Sequence, residues 1–349
     1  MARGLAIVLV IAMHASAIPW MLGVPYPDVL NWIGAAAAPY RMPTLLVLSG
    51  ILLIKSLRKG WWRYYTGKIQ LIFWPLAVWL IIYSAVSRGG EKLTDISYWL
   101  NGGYLWFLIV IGCCYLIAPL VRVVPAWALA AVMAISSAPI SEPFIERFLY
   151  YGAFFFVGAQ LGQHLEAFTK ITRRGRVLAG TVAIGWAIIV ATFGIAVDQN
   201  VWSFPLAVVG VLAIMLGLQK VGDNPATRFL GWVGRHSIVF YVAHFPIIMI
   251  VCYAFFDNHV YDPWLIPLVG TMAAILGSIA LVQIRHTTPF NWLFEMPTPS
   301  RQDWQRVKNA LRTRPHSDEQ PTPVEPEAAA VPRATPAAHE DEQAEELAA

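Results

Sequence analysis

Apolar stretches close to the ~20 residues needed to cross a bilayer recur along most of the chain, each closed by a short polar, proline-marked or glycine-marked break. Their edges predict ten membrane-spanning helices, at 4–20, 29–54, 69–87, 104–121, 126–140, 148–164, 177–197, 203–219, 231–256 and 264–284. The fifth is short and is interrupted by Pro139. The fold class this pattern predicts is all-α: a polytopic membrane protein of about ten helices, with the membrane domain filling 1–290.

Charge in the loops adds an orientation, because Lys and Arg gather on the cytoplasmic side of short connections. Alternate loops hold Lys55, Arg58, Lys59, Arg63 and Lys68, then Arg122, then Lys170, Arg173, Arg174 and Arg176, then Lys220 and Arg228. The intervening loops offer Arg88, Lys92 and Arg147. Both termini are therefore expected in the cytoplasm. The first span has a basic start and an apolar core, but no small-x-small cleavage site precedes Pro19-Trp20, so it reads as a retained helix.

Past the last span the pattern changes. Trp304, Val307 and Leu311 recur at helical spacing among Arg301, Arg306, Lys308 and Arg312, and Ser300 and Asp303 stand in capping-box spacing. A basic amphipathic helix over 291–314 is expected, lying on anionic lipids of the inner leaflet. From 315 to 349, Pro, Ala and Glu dominate and long apolar side chains nearly vanish, so disorder is expected there.

Composition agrees with the pattern. The 349 residues are 57% hydrophobic and 13% charged, with a mean hydropathy of +0.56, which excludes an ordinary soluble domain. A net charge of +4 is the sum of basic loops and an acidic tail and implies no nucleic-acid partner. Cys113, Cys114 and Cys252 all lie inside apolar spans and describe neither a disulfide framework nor a metal site.

Ionisable groups at membrane depth are costly and point to function. Arg3 and His14 are eleven positions apart, which on a helix leaves them within ~20° of one face and about 16 Å apart along the axis. Arg3 reads either as a positive-inside anchor or as a ligand-binding cation. Arg41 sits in the middle of the second span, where it needs carbonyls or a negatively charged ligand, and the spans contain no carboxylate to pair with it. That lack also counts against a proton-coupled transporter. His244 lies deep in the ninth span, as a packing histidine or a site residue, while Arg235 and His236 mark its edge. The loop "KSLRKGWWRYYTGK" joins cations to aromatic rings, as an ordinary inner loop or as a dock for a cytoplasmic polyanion. Phosphate-cradling glycine loops, zinc signatures and serine nucleophile elbows do not occur.

Five stretches in order, Arg3-x10-His14, "RMPTLLVLSG", "YLWFLIVI", "YYGAFFFVGAQLG" and "GRHSIVFYVAHFPI", resemble the acyltransferase-3 family of bacterial membrane O-acyltransferases over about the first 290 residues. The resemblance implies transfer of an acyl group, usually acetyl from cytoplasmic acetyl-CoA, to a hydroxyl of an envelope carbohydrate or a lipid-linked glycoside, in the inner membrane of a bacterium. Acyl-CoA is then a substrate, and no bound cofactor is implied. It also implies that Arg3 and His14 are required for activity. Trp106 and Ser237, carried in the matching motifs, join Arg41, Arg63, Lys68 and His244 as candidates for binding donor or acceptor. Where the family often has an arginine-rich lead into the third span, this chain offers only Arg63 and Lys68.

The chemistry fits those residue types. An imidazole with a pKa near ~6.5 can take a hydroxyl proton or carry the acyl group itself, and guanidinium or ammonium groups can bind CoA phosphates. An exporter of a glycan or lipid would move substrate without acyl transfer, and a non-catalytic scaffold would tolerate loss of His14.

Overall fold

The computed structural model describes residues 1–88 and 93–297, and among these the chain is helical without strands. In chain order the helices are α1 (Ala2–Met21), α2 (Asp28–Ile51), α3 (Leu53–Leu57), α4 (Trp61–Lys68), α5 (Trp74–Val86), α6 (Ile96–Asn101), α7 (Trp106–Ile117), α8 (Ala126–Ser137), α9 (Pro143–Gln163), α10 (Leu165–Thr169), α11 (Arg173–Phe193), α12 (Phe204–Leu218), α13 (Pro225–Arg235), α14 (Ser237–Asp257) and α15 (Leu265–Ile284). A π-helical turn, Ile69–Phe73, joins α4 to α5.

Eight helical stretches among the described residues are long and apolar enough to cross a membrane, and they coincide with eight of the ten spans read from the sequence. The other two differ for separate reasons. The fifth is α8, only 12 residues, which is short of a bilayer's thickness. The sixth lies in α9, 21 residues long, which carries Glu146 and Arg147 and buries Tyr150 to Phe156 inside the bundle. A helix walled by protein needs less apolar surface than one walled by lipid. The ninth span is not continuous: it breaks at His236, with α13 before it and α14 after it.

Local chemistry explains where helices begin. Glu142 accepts the Ile145 N–H at 2.7 Å and Pro143 follows it. Asn224 and Thr227 form a reciprocal capping box ahead of α13, whose first residue is Pro225. Asp262 takes the Trp264 and Leu265 N–H groups at 2.8 and 2.7 Å, and these hold its carboxyl below the usual carboxylate range.

Close packing then fixes the helices that carry the ionisable groups. Methyl groups added at Gly50 of α2 or Gly158 of α9 would overlap backbone carbonyls of the other helix, those of Phe155 and Val47. Gly4 likewise lets α1 rest on the Leu230 carbonyl of α13.

Tyrosines tie helices together where prolines leave a carbonyl without its helical donor. Pro246 cannot donate to Val242, and the Tyr104 hydroxyl supplies that bond at 2.6 Å. Pro119 cannot donate to Tyr115, and Tyr64 supplies that one, also at 2.6 Å.

After α15 the chain folds back on α5. Trp74 and Trp79 donate their indole N–H groups to the Trp292 and Leu293 carbonyls at 2.7 and 2.9 Å, and Phe294 packs on the Trp79 ring. Residues 290–293 form a single 3-10 turn. The remainder of the amphipathic helix expected over 291–314, and the tail over 315–349, lie outside the described residues.

Candidate functional site

His14 of α1 and His244 of α14, 230 positions apart in sequence, meet at 3.2 Å between His14 Nδ1 and His244 Nε2. Both rings also bond their own helices: His14 Nδ1 lies 3.0 Å from the Val10 carbonyl, and His244 Nδ1 lies 3.1 Å from the Phe240 carbonyl. Carbonyls only accept, so in the neutral pair the proton sits on Nδ1 of each ring. His244 Nε2 is then a lone pair facing His14 Nδ1–H, which is shared between that lone pair and the Val10 carbonyl. The Nε2 of His14 is left as a free base. His244 is fully buried (0% exposed), whereas His14 is half-buried, so the nitrogen left with a free lone pair belongs to the more accessible ring.

Aromatic rings hold the two imidazoles in place. Phe245 meets His14 edge-on with ring centroids 5.3 Å apart and stacks on Tyr104 at 4.6 Å. Tyr104 is the residue whose hydroxyl fills the carbonyl left open by Pro246, so the bond that repairs α14 also braces the histidine pair.

On one side of this pair lies a cavity of about 140 Å³, lined by Arg3, Ser49, Ile72, Phe107, Ser237 and Tyr241 among others. Its wall adjoins the histidines through Tyr241, whose ring is 5.9 Å from that of His244. Ser237 and Ile238, the first residues of α14, line this cavity with Arg3, while the Val239 and Phe240 N–H groups behind them already bond the His236 carbonyl. Lys68 adds a second cation: its Nζ stands 3.4 Å over the Tyr115 ring, the Tyr115 hydroxyl donates to the Ser49 carbonyl at 2.9 Å, and Arg3 acts electrostatically on Tyr115. Neither Arg3 nor Lys68 pairs with a carboxylate among the described residues, where the ion pairs are Arg88–Asp257 and Arg228–Asp223.

On the other side stands Arg41. It lies eight positions before Ser49 on α2, about 12 Å along the helix, and donates to the Gly34 carbonyl at 3.2 Å, so its guanidinium points away from the Arg3 cavity. From there it acts electrostatically on His14, Tyr26 and Tyr151. Tyr151 donates to Asp198 at 2.9 Å and packs on Trp106, whose ring also carries the Arg147 guanidinium at 5.4 Å. Tyr26, in the loop between α1 and α2, has its phenol pushed up by burial.

The structure thus sets Arg3 and Ser237 around the cavity, Lys68 near it through Tyr115 and Ser49, and the His14–His244 pair behind its Tyr241 wall, with Arg41 and Trp106 beyond the histidines. Trp106 is nine positions from Tyr115 on α7, about 14 Å from the Arg3 end. Arg63 is on the exposed face of α4 and touches none of these groups. Sequence reasoning missed Tyr115, Tyr104, Tyr241, Tyr151 and Asp198. Only the prolines inside apolar helices hinted at tyrosine partners, and they did not say which. Among the described residues no three His, Cys, Asp or Glu side chains gather closely enough to hold a metal ion, and the three cysteines are free thiols.

A family model described as an acyltransferase domain matches residues 1–283 of the chain. No curated protein and no solved structure matches it.

Proposed function

The chain belongs to the acyltransferase-3 family and is a multi-pass membrane acyltransferase; we propose that it moves an acyl group, acetyl in the simplest case, from acyl-CoA to a hydroxyl of a cell-envelope carbohydrate or lipid-linked glycoside. The single observation that carries this reading is the free Nε2 of His14, with Nδ1–H held by the Val10 carbonyl and His244.

The reaction runs as follows. The acceptor O–H gives its proton to His14 Nε2 as its oxygen bonds to the thioester carbonyl carbon. The resulting imidazolium is held through Nδ1–H by His244 and Val10. The tetrahedral intermediate expels the CoA sulfur, its C–S bond breaks, and the proton on Nε2 passes to the thiolate, which leaves as free CoA. His244 touches neither substrate: it positions His14 and accepts from it.

Arg3, Lys68 and the first N–H groups of α14 bind the phosphates of CoA, and the cavity leading to Tyr241 takes the arm that carries the thioester. The Arg3 end carries the loops rich in Lys and Arg, which supports a cytoplasmic donor and an acceptor arriving from the opposite face of a bacterial inner membrane. Anionic inner-leaflet lipids hold the basic segment after residue 297.

The test is CoA release by the purified full-length protein given acetyl-CoA and an envelope-glycan extract, with labelled acetyl followed into the glycan. Wild type should release CoA and label the glycan, and His14→Ala of matched folded yield should do neither. Equal background from both proteins, with no acyl-CoA binding, would instead favour an exporter.

A further inference from the structure

Arg41 is a half-buried cation without a carboxylate partner among the described residues, and its hydrogen bond to the Gly34 carbonyl, at 3.2 Å, uses one of five N–H donors. A guanidinium in this position is stabilised by an anion that shares its site, because desolvated charge is costly unless paired. Three polar side chains lie within its electrostatic reach: His14, Tyr26 and Tyr151. Asp198, the acid bonded to Tyr151, already accepts its hydroxyl at 2.9 Å. The geometry points to a carboxylate-binding site at Arg41, which takes a carboxylate borne by one of the two reacting molecules while the reactive carbonyl stands at His14.

This inference rests on the acyltransferase reading and narrows its substrates. A carboxylate fits better than a phosphate, since one planar guanidinium matches a monoanion in a two-bond fork, whereas a dianion at this depth calls for a second cation. Phosphates have that second cation at the other end, where Lys68 stands over the Tyr115 ring and Arg3 acts electrostatically on the same residue.

Charge balance supplies a reason for the pairing. His14 becomes an imidazolium when it takes the acceptor proton, and Arg41 opposes that charge. A carboxylate seated on Arg41 cancels the repulsion at the moment the proton moves. The carboxylate has two chemical sources: a dicarboxylic acyl group such as succinyl, or an acidic sugar such as a uronate in the acceptor. The shared chemistry is one carboxylate within reach of His14.

The experiment crosses two donors, acetyl-CoA and succinyl-CoA, with two acceptors, an alkyl glucoside and the matching alkyl glucuronide, for wild type, Arg41→Lys and Arg41→Gln in detergent. With the carboxylate-bearing substrate, Arg41→Gln should lower kcat/KM by ~10- to 100-fold more than it does with the acetyl and glucoside pair, with Arg41→Lys between. The donor arm or the acceptor arm that shows the loss names the source. An equal loss with all four pairs, or no loss with any, would overturn the site. A second readout is independent of turnover: succinate or methyl glucuronide should raise the Tm of wild type and not of Arg41→Gln. No Arg41-dependent shift with either anion would overturn the site even if acyl transfer stands. A shift without CoA release by wild type would uphold the site and reject acyl-CoA as donor.

Discussion

The two cationic regions flanking the histidine pair are built differently. At the Arg3 end Lys68 stands over the Tyr115 ring, Arg3 acts electrostatically on the same tyrosine, and Arg3 and the start of α14 line a cavity of about 140 Å³. At the Arg41 end one guanidinium leans on a carbonyl, with phenols and an engaged aspartate around it and the Arg147 guanidinium drawn onto the Trp106 ring. The first arrangement suits a multiply charged ligand and the second a monoanion or a set of hydroxyls. On the proposed reaction, charge multiplicity rather than the presence of arginine would separate a donor end from an acceptor end.

The largest expected effect tests where the two ends meet. His14→Ala should lower transfer by ~10²- to 10⁴-fold while leaving acyl-CoA affinity within a few-fold, measured by equilibrium binding to the same preparation. Retained transfer would mean that the ends do not converge on His14 at all. Next comes His244. His244→Leu should cut kcat by ~10- to 100-fold with donor affinity unchanged, whereas His244→Gln, whose side-chain oxygen can still accept from His14 Nδ1–H, should recover much of the loss. Equal kcat for the Leu and Gln variants would reduce His244 to packing.

A smaller effect separates the ends directly. Arg3→Ala and Lys68→Ala should each raise the KM for acetyl-CoA by about 10-fold and flatten its salt dependence, because both cations meet phosphates. The exposed Arg63→Ala should do neither. The smallest concerns a cap on the Arg41 side of the bundle. Asp262 is fully exposed and its carboxyl is held low by the Leu265 and Trp264 N–H groups. Its contribution is therefore present above the unfolded carboxylate range, near pH ~4, and is lost as pH falls below it. Asp262→Asn should lower the Tm by a few degrees at neutral pH and by less at low pH, without altering turnover.

Much of this was legible along the chain. Apolar runs of bilayer length located eight helical stretches because a membrane helix must satisfy its own backbone and face lipid, and both demands are written locally. The run at 148–164 overlaps α9, yet α9 is not apolar enough to count among those stretches. Protein neighbours rather than lipid cover much of it, and neighbours are not written locally. Likewise 231–256 reads as one apolar run, whereas in the fold it breaks at His236 into α13 and α14.

For the site, spacing along one helix was enough to set Arg3 and His14 on a common face, and the mid-span position of His244 marked it as unusual. That Nδ1 of one imidazole meets Nε2 of the other could not be read, since the two lie 230 positions apart and their contact depends on how α14 crosses α1. The same holds for Lys68, which reads as a loop charge and stands over the Tyr115 ring. The sequence by itself determined the class of the molecule, its helices and the residue types able to do acyl chemistry, because hydrophobic length and ionisable groups are local properties. Only the tertiary structure decided which imidazole nitrogen keeps a free lone pair, which cations lie near one another and which one stands apart. Those are matters of distance and direction between helices, set by glycine contacts, proline gaps and the tyrosines that fill them.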